Sequence, residues 1–365
     1  MKAIHQFVAG FSKGDAISNE AIVLRNIFRS WGYESDIISE TKRILPELRR
    51  DARDVFAYKS ACKPDDVVLL HLSVGSDVND IFAALPCRKA ILYHNITPAE
   101  YFAGIQPRIV AALDRGRQQM KTLASLATGQ AGKAPVIMAV SPFNARELQQ
   151  MGFGDAHVLP LVLDLQKLRE RANRAILHRF DDGRVNVLFV GRCAPNKRLE
   201  DCIAAFYYFQ KYVEPNSRFV HVGSFANTEQ YHAILLTLIR EYGLKNAELI
   251  GTLRQDELNA MYKSAHLFLS MSEHEGFCIP LIESMVHDLP VLAYDAGAVS
   301  ETLDGAGVLF REKRFDLVAE MMGRLVRDPA LRNAVIRGQR ERLARYEKRD
   351  LTAELRQHLA PLLAP

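Results

Sequence analysis

Short apolar segments rich in β-branched residues alternate with longer amphipathic segments along nearly the whole chain, and this alternation restricts the fold more than any other feature. In the first half the predicted strands are 3–9, 67–72, 90–95, 136–140 and 157–161. In the second half they are 186–191, 218–223, 247–251, 266–270, 290–294 and 307–310. Strands that alternate with helices form parallel sheets with crossover helices. The sequence therefore predicts an α/β fold.

The length and one polar segment indicate two domains. A chain of 365 residues is long for one domain and comfortable for two. The stretch 165–184 is polar and has no strand pattern, and strand patterns resume after it. We predict two Rossmann-like, doubly wound domains that face a cleft, at 1–165 and 166–345, and a final helix at 346–365 that packs back on the first domain. Ligands of such sheets bind at the carboxyl ends of the strands.

The composition excludes several classes of protein. Hydrophobic residues make up 48% and charged residues 25%, and the net charge of +4 is too small to indicate a nucleic-acid partner. No apolar run is long enough to predict a transmembrane helix, and the first residues are interpreted as a strand, not a signal peptide. The cysteines are odd in number and include no C-x-x-C pair, which argues against a disulfide framework or a zinc site and favours a reducing, cytoplasmic location. They are Cys62, Cys87, Cys193, Cys202 and Cys278.

The segment 273–290, EHEGFCIPLIESMVHDLP, predicts an anion site at the start of a helix. Pro280 suits the first helical position. The backbone N–H groups just before it, at 277–279, would then face an anion with the positive end of the helix dipole behind them. Glu275 in the loop and Glu283 in the first helical turn could bind hydroxyls on either side. This describes a nucleotide sugar; the alternative is a solvated Glu275 and a Glu283 that only complements the helix dipole.

The segment 190–206, VGRCAPNKRLEDCIAAF, adds two cations after a strand. Gly191 makes the turn, Arg192 offers a planar fork for phosphate oxygens, and Lys197 offers a point charge. One cation at about 4 Å, with an effective dielectric of about 20, contributes roughly 4 kcal/mol of Coulomb energy. Two such cations could stabilise a leaving diphosphate. The chain has no D-x-D motif, so we predict no metal and no other cofactor; the alternative for both residues is surface charge.

G-R-x-x-x-x-K after a strand and E-G-F-x-x-P-L-x-E before P-V resemble the retaining glycosyltransferases of the GT-B fold, in particular the large family 4. The resemblance is strong in the second domain and looser in the first. It implies that Glu275 contacts the donor hexose and acts in catalysis with Arg192 and Lys197, which hold the diphosphate. It also implies that Glu283 binds the ribose. The other donor contacts that it implies are Gly251, Leu253, Gly276, Phe277, Cys278 and Ile279, of which Cys278 replaces the commoner glycine.

In the first domain the candidates also follow strands. Gly10 and Gly14 permit close approach of the backbone to a ligand, or make a flexible turn. The HNITP segment, 94–98, resembles a motif of bacterial surface-polysaccharide members of the same family. That resemblance implies that His94 lies over the donor sugar, where it stabilises positive charge or orients the acceptor hydroxyl. A structural role is the alternative for His94, and the role of His71 stays open.

The segment 41–63, TKRILPELRRDARDVFAYKSACK, is basic with interleaved apolar residues. It could lie on the anionic inner leaflet of a membrane, which would suit an undecaprenyl-diphosphate-linked acceptor. A solvated helix face is the alternative.

The function implied by the resemblance is transfer of a hexose, with retention, from a GDP- or UDP-hexose to a glycan or lipid-linked acceptor in bacterial O-antigen lipopolysaccharide synthesis. Mannose is the preferred hexose, on likeness to O-antigen mannosyltransferases. The alternatives are a GT-B nucleotide-sugar 2-epimerase and a non-catalytic scaffold with this fold.

Overall fold

A computed structural model describes residues 2–127 and 134–363. The chain divides into two compact units. The first comprises the described parts of Met1–Glu100, Pro107–Leu163 and Asp350–Pro365, and the second comprises Tyr101–Gln106 and Asp164–Arg349.

Thirteen strands lie in the described residues and form two sheets. They are β1 (Ile4–Val8), β2 (Ile37–Ser39), β3 (Ala52–Asp54), β4 (Val67–Leu72), β5 (Arg88–Tyr93), β6 (Val136–Ala139), β7 (His157–Val158), β8 (Val185–Val190), β9 (Ser217–Val222), β10 (Ala247–Ile250), β11 (Leu267–Ser270), β12 (Val291–Tyr294) and β13 (Val308–Phe310). The sheet orders are β3-β2-β1-β4-β5-β6-β7 and β10-β9-β8-β11-β12-β13. All their pairings are parallel, so the predicted fold class of two parallel α/β domains is confirmed.

The α-helices of the described residues are α1 (Ala16–Ser30), α2 (Val55–Ala61), α3 (Asp77–Ala84), α4 (Pro107–Ala127), α5 (Pro142–Gln150), α6 (Leu165–Arg169), α7 (Arg174–Phe180), α8 (Leu199–Tyr208), α9 (Glu229–Glu241), α10 (Gln255–Ser264), α11 (Ile279–Val286), α12 (Val299–Leu303), α13 (Phe315–Arg327), α14 (Pro329–Glu347) and α15 (Leu351–Leu363). Most helices connect consecutive strands of a sheet, whereas α6 and α7 lie between the two sheets in the sequence and α13, α14 and α15 follow the last strand. A π-helical turn, Phe209–Val213, continues α8. Within the described residues, none of these helices is both long and apolar enough to cross a lipid bilayer.

The strand order reverses between β1 and β4 in the first sheet and between β8 and β11 in the second. All six residues of β4 are buried, as expected for a parallel strand covered on both faces. Loops leave the sheet in opposite directions at such a reversal, so a crevice opens at the carboxyl ends of the two strands. The residues that follow β1, β4, β8 and β11 are therefore positioned to bind ligands.

The last helix, α15, belongs to the first unit, as the sequence predicted. Its buried residues Leu355, Leu359 and Leu362 face inward, and the helix packs on β5 and β6. Nη1 of Arg88, at the start of β5, donates to the Leu362 carbonyl at 3.0 Å. The sheet thus gains a covering helix from the far end of the sequence.

The segment 41–63 does not form an amphipathic surface helix. It contains two 3₁₀ turns, Thr41–Arg43 and Pro46–Leu48, then the edge strand β3 and the short helix α2. Ile44 is buried against Val8 and Phe11 in the core. A proline in the helix interior removes a backbone donor and clashes with the preceding turn, so Pro46 interrupts any helix through this segment.

The sequence analysis argued against a disulfide framework and did not anticipate the one bond that the structure contains. Cys62 and Cys87 are joined by a disulfide bond, whereas Cys193, Cys202 and Cys278 are free and buried. Cys62 follows the last residue of α2 and Cys87 immediately precedes β5, so the crossover brings them together although 25 positions separate them. An odd total does not exclude a single bond, and the cysteine count therefore gives no argument about the compartment.

Candidate functional site

The turn after β8 is held in place by the neighbouring strand β9. A Cβ atom on Gly223, just after β9, would collide with the Gly191 carbonyl oxygen, so this position requires glycine. The His221 ring approaches the same oxygen, with Nε2 at 2.8 Å. These contacts fix the backbone from which Arg192 projects. The sequence analysis identified Gly191 but missed Gly223, which ends the next strand in the same way.

Arg192 is exposed and forms no ion pair with the described residues. Its Nη2 donates to the Ala226 carbonyl at 3.2 Å. Most of the donors of its guanidinium group therefore remain available to an anionic ligand.

Lys197 and Glu275 form a partly buried ion pair. Lys197 ends a 3₁₀ turn, Pro195–Lys197, and its Nζ lies 2.7 Å from Oε1 and 2.6 Å from Oε2 of Glu275. The side chains are 21% and 7% exposed. Burial disfavours the charged ammonium, but the negative charge of Glu275 outweighs this, and the pKa of Lys197 is raised. Lys197 is therefore a cation whose field is partly neutralised by Glu275.

The loop that carries Glu275 is clamped by the segment before α12. A Cβ on Gly297, which has a φ of +58°, would lie 2.7 Å from the Glu275 carbonyl oxygen and 2.8 Å from its nitrogen. The N–H of Ala298 donates to that carbonyl at 3.0 Å, and the Thr302 hydroxyl donates to the Phe277 carbonyl. Only glycine permits this approach. Gly297 was not identified from the sequence because its partner lies 22 positions earlier.

The backbone turns sharply at Cys278 to enter α11. Cys278 has φ +68° and ψ +67°, the left-handed region that favours glycine, which accounts for the glycine expected there by resemblance. Within the described chain, the N–H groups of Phe277, Cys278 and Ile279 make no backbone hydrogen bond. They lie at the amino end of α11, where a helix attracts anions. Burial raises the pKa of the Cys278 thiol well above its usual range, and the charge of Glu275 adds to this, so the thiol is neutral.

Two details of the predicted helix start are corrected. The helix begins at Ile279, so Pro280 is its second residue, and no acidic residue lies in the first turn. Glu283 is in the second turn, where it no longer complements the helix dipole directly, since that effect is confined to the first turn. Its neighbours determine its environment instead.

Glu283 accepts a hydrogen bond from Tyr262, a residue that the sequence analysis missed. The Tyr262 hydroxyl lies 2.6 Å from Oε2 of Glu283, and its ring stacks on His287 with centroids 5.2 Å apart. Burial raises the pKa of Glu283, and the hydrogen bond from Tyr262 offsets only part of that effect. One carboxylate oxygen is thus held by a rigid, fully buried partner.

Gly251 and Leu253 lie in the loop between β10 and α10, at the same edge of the sheet. The ring of Phe225 lies 3.6 Å from the position of a Cβ on Gly251. Phe225 is 37% exposed and was not identified from the sequence. An exposed aromatic ring beside this loop could stack on a planar ligand group.

In the first unit, His94 belongs to a buried polar cluster at the ends of β1, β4 and β5. His94 Nε2 lies 2.9 Å from Nδ1 of His71, and Nε2 of His71 lies 3.0 Å from Oε1 of Gln6. Oε2 of Glu20, on α1, is 3.5 Å from Nε2 of His94 and 3.8 Å from Nδ1 of His71. The two histidines named in the sequence analysis are thus in contact. Gln6 and Glu20 belong to the same cluster, and no local sequence motif marks either of them.

The remaining candidates of the first unit differ in placement. A depression of about 350 Å³ follows β1, lined by Ala9, Gly10, Ser12, Asp15, Ile17, Arg43, Ser73 and Val74. Gly10 is thus at a candidate ligand site. Gly14, with φ +73°, makes the turn into α1 and does not line it. Asn95 is occupied in the protein, since its Nδ2 donates to Asn144 and Glu147 at 2.9 and 3.1 Å.

Part of the second unit matches a known protein family. Residues 171–342 match the family model described as glycosyl transferases group 1. This region of the second unit is therefore similar to the glycosyl transferases of group 1. A GDP-mannose-dependent alpha-mannosyltransferase of Mycolicibacterium smegmatis is 33% identical over 116 residues, 32% of this chain and 27% of that protein. The serotype-specific mannosyltransferase WbdA of Escherichia coli is 26% identical over 146 residues, 40% of this chain and 18% of that protein.

Solved structures with the same fold cover the whole chain. Sucrose-phosphate synthase from Thermosynechococcus elongatus has a TM-score of 0.76 at 16% identity, over 99% of both chains. Anabaena Alr3699/HepE, in complex with UDP and glucose, has a TM-score of 0.73 at 15% identity, over 100% of this chain and 99% of that one. The fold is that of GT-B glycosyltransferases. These two mannosyltransferases, in contrast, are matched over only about a quarter of their length or less, and they support the family that the motifs predicted.

Proposed function

We propose that this chain is a glycosyltransferase that takes a hexose from a nucleoside-diphosphate sugar bound to the second unit. The observation that carries the proposal is the Lys197–Glu275 pair beside the unpaired N–H groups at the start of α11. The nearby strand end supplies Arg192, which forms no ion pair with the described residues, although the charge of Glu229 acts on it. Such an arrangement suits a ligand with an anionic centre and hydroxyls on each side.

Each residue has a proposed contact. The diphosphate lies against the N–H groups of 277–279, with Arg192 and Lys197 as its cations. Glu275 and Gly276 face the hexose, and Glu283 accepts from the ribose hydroxyls. Gly251 and Leu253 contact the base, and Phe225 stacks on it.

The proposed chemistry depends on charge that grows on the departing diphosphate. The ammonium of Lys197 has three donors, and Glu275 engages it through both carboxylate oxygens, so a donor remains for a phosphate oxygen. Stabilisation that appears only as the sugar–oxygen bond breaks accelerates the reaction. We propose that these cations act without a metal ion and without a protein nucleophile. The acceptor hydroxyl attacks the anomeric carbon on the same face from which the diphosphate leaves, and the departing phosphate oxygen takes the hydroxyl proton, so the configuration is retained.

We propose GDP-mannose as the donor. The M. smegmatis relative is named as GDP-mannose-dependent, and the E. coli relatives are named as mannosyltransferases. A UDP-hexose is the second candidate, because structures of HepE hold UDP with glucose or UDP-glucose. The epimerase and scaffold alternatives are not favoured by these relatives.

We further propose an undecaprenyl-diphosphate-linked or free glycan acceptor in O-antigen synthesis, at the cytoplasmic face of the inner membrane. Within 41–63 the apolar Ile44 is buried, whereas the side chains of Lys42 and Arg53 are 70% and 45% exposed. Any contact of this segment with anionic lipid is therefore electrostatic, worth about 1 kcal/mol per basic residue near the surface.

Thermal unfolding with a panel of nucleotide sugars tests the proposal. At a concentration of 100 Kd the donor should stabilise the fold by about 2.7 kcal/mol. GDP-mannose should stabilise the protein at a lower concentration than the other nucleotide sugars. The stabilisation by the donor should be smaller in Glu283→Gln. It should be unchanged in Glu248→Gln, which neutralises an acid that lies on β10 and pairs with Arg179. Stabilisation by no nucleotide sugar would refute the donor site. Release of a free epimerised sugar without acceptor would favour the epimerase.

A further inference from the structure

The buried cluster in the first unit determines which nitrogen of His94 carries the proton. Gln6 lies on β1, at one end of the cluster. Its Nε2 donates to the Ala21 carbonyl at 2.8 Å, and a carbonyl can only accept. The side-chain amide is therefore oriented with Oε1, an acceptor, toward Nε2 of His71 at 3.0 Å.

His71 must then donate through Nε2. Burial lowers the pKa of this ring to about 3, so it is neutral and carries one proton. With the proton on Nε2, Nδ1 of His71 is a bare acceptor. It lies 2.9 Å from Nε2 of His94, a normal hydrogen-bond length, and His94 must donate through Nε2.

His94 is likewise a neutral ring with a single proton. Burial lowers the pKa of His94 well below its usual value, with His71 adding to the effect, so this ring is neutral as well. Its single proton is on Nε2, and Nδ1 carries a lone pair. Within the described chain Nδ1 of His94 has no hydrogen-bond partner, and it is not among the atoms sealed from solvent.

We propose that Gln6 and His71 are positioning residues that hold His94 with Nδ1 unprotonated, so that Nδ1 accepts a hydrogen bond from the attacking hydroxyl of the sugar acceptor. This rests on the proposed glycosyl transfer and decides between the two roles considered for His94. A ring with a lone pair toward the substrate orients a hydroxyl, whereas a neutral ring gives little stabilisation to developing positive charge. Glu20 completes the enclosure, with Oε1 held by the Val162 N–H at 3.2 Å.

A shared metal ion explains the cluster less well. Histidine and carboxylate are zinc ligands, and tetrahedral ligands at 2.0–2.1 Å lie about 3.3 Å apart. The two ring nitrogens are 2.9 Å apart, which suits a hydrogen bond. The amide of Gln6 also accounts for the orientation of His71 without an ion.

The tautomers can be measured directly by nuclear magnetic resonance. The full chain is labelled with ¹⁵N-histidine, and Nδ1 and Nε2 of His94 are assigned by comparison with His94→Gln. At neutral pH we expect protonated Nε2 and unprotonated Nδ1 on both His71 and His94. A proton on Nδ1 of His94, or on both of its nitrogens, overturns the proposal. No ligand is needed, so this result is independent of whether the proposed function is correct.

A matched pair of variants tests the positioning role. Gln6→Leu removes the amide that orients His71. Gln339→Leu removes a fully buried amide of the second unit, which bonds to Leu289 and Val291 at 2.8 and 2.9 Å. Both should lose stability, but only Gln6→Leu should lose the Nε2–H tautomer of His94. Unchanged tautomers in folded Gln6→Leu overturn the proposal.

Kinetics complete the test, with GDP-mannose as donor and water as acceptor. The rate of GDP release should fall at least about tenfold in Gln6→Leu, since correct proton placement on a catalytic histidine contributes one or more orders of magnitude. KM for GDP-mannose should change less than about threefold, because the donor contacts are in the second unit. A rise in KM with constant kcat overturns the positioning role. Activity that chelation abolishes and zinc restores overturns the hydrogen-bond chain, whereas absence of turnover in the wild type refutes only the proposed donor.

Discussion

Neutralising Glu275 should tighten binding of the free nucleoside diphosphate while it abolishes transfer. Both carboxylate oxygens of Glu275 contact Nζ of Lys197, at 2.7 and 2.6 Å. In the proposed site the diphosphate contacts the same ammonium from the other side. Glu275 therefore repels the anion and partly cancels the attraction of Lys197. The substitution Glu275→Gln retains the size of the side chain and removes both effects.

The magnitude follows from the geometry of the pair. A phosphate oxygen at about 2.8 Å from Nζ, opposite a carboxylate oxygen at 2.6 Å, lies about 5.4 Å from that oxygen. Two unit charges at this separation, with an effective dielectric of about 20, repel by roughly 3 kcal/mol. The Lys197 side chain is 21% exposed, and solvent screening reduces this to about half. We expect the Kd for GDP to fall about tenfold in Glu275→Gln.

Isothermal titration of GDP and UDP into both proteins at one fixed ionic strength measures this change. Glu248→Gln is the control, because it makes the same change of charge on β10, where Glu248 pairs with Arg179 and Arg218. GDP affinity in the control should stay within about twofold of the wild type. Unchanged or weaker GDP binding in Glu275→Gln would show that the diphosphate does not lie beside Lys197.

Three further substitutions test neighbouring parts of the argument. Lys197→Ala leaves Glu275 buried without its cation, so we expect a loss of about 3–5 kcal/mol in urea unfolding and at least a tenfold loss of turnover. In a Glu275→Gln background the same substitution should cost less stability, because no buried charge is left without a partner; additive losses of stability would contradict the pairing. Tyr262→Phe removes the hydroxyl bonded to Glu283 and should weaken donor binding about fivefold to tenfold, equivalent to roughly 1–1.5 kcal/mol, in the titration above; wild-type affinity would exclude this role. Burial raises the pKa of Glu20 to about 8, so its neutral form favours the folded state below pH 4.5, and this contribution is lost as the pH rises toward 8. Glu20→Gln does not titrate and should therefore gain stability relative to the wild type between pH 5 and 9; parallel stability curves would contradict the raised pKa.

The fold was predictable because the long central strands carry a strong local signal. The predicted strand 67–72 coincides with β4, and the prediction 186–191 differs from β8 by one residue at each end. The strands β2 and β3 have three residues each, too few for any periodicity to be recognised. Their stability comes from pairing with β1 and with one another, a tertiary property. This is why no strand was predicted within 41–63.

The candidate site was predictable in its residue types but not in its pairings. Lys197 and Glu275 were each expected to contact the donor, because each follows a strand that ends at the same sheet edge. Their contact with one another joins positions 78 apart, and neither segment alone indicates it. Tyr262 and Gln6 lie inside ordinary helix and strand patterns. Such partners become visible only when the sheet order is known.

The two cations of the proposed donor site differ in a way that divides their roles. Arg192 is exposed and forms no ion pair with the described residues, so its charge acts on an approaching diphosphate at once. Lys197 is partly neutralised by Glu275, and in the proposed site its attraction for the diphosphate strengthens as negative charge grows on the leaving group. Interactions that strengthen late in the reaction accelerate it, whereas those present on binding lower only KM. In the proposed site Arg192 therefore captures the donor, and Lys197 assists the departure of the diphosphate.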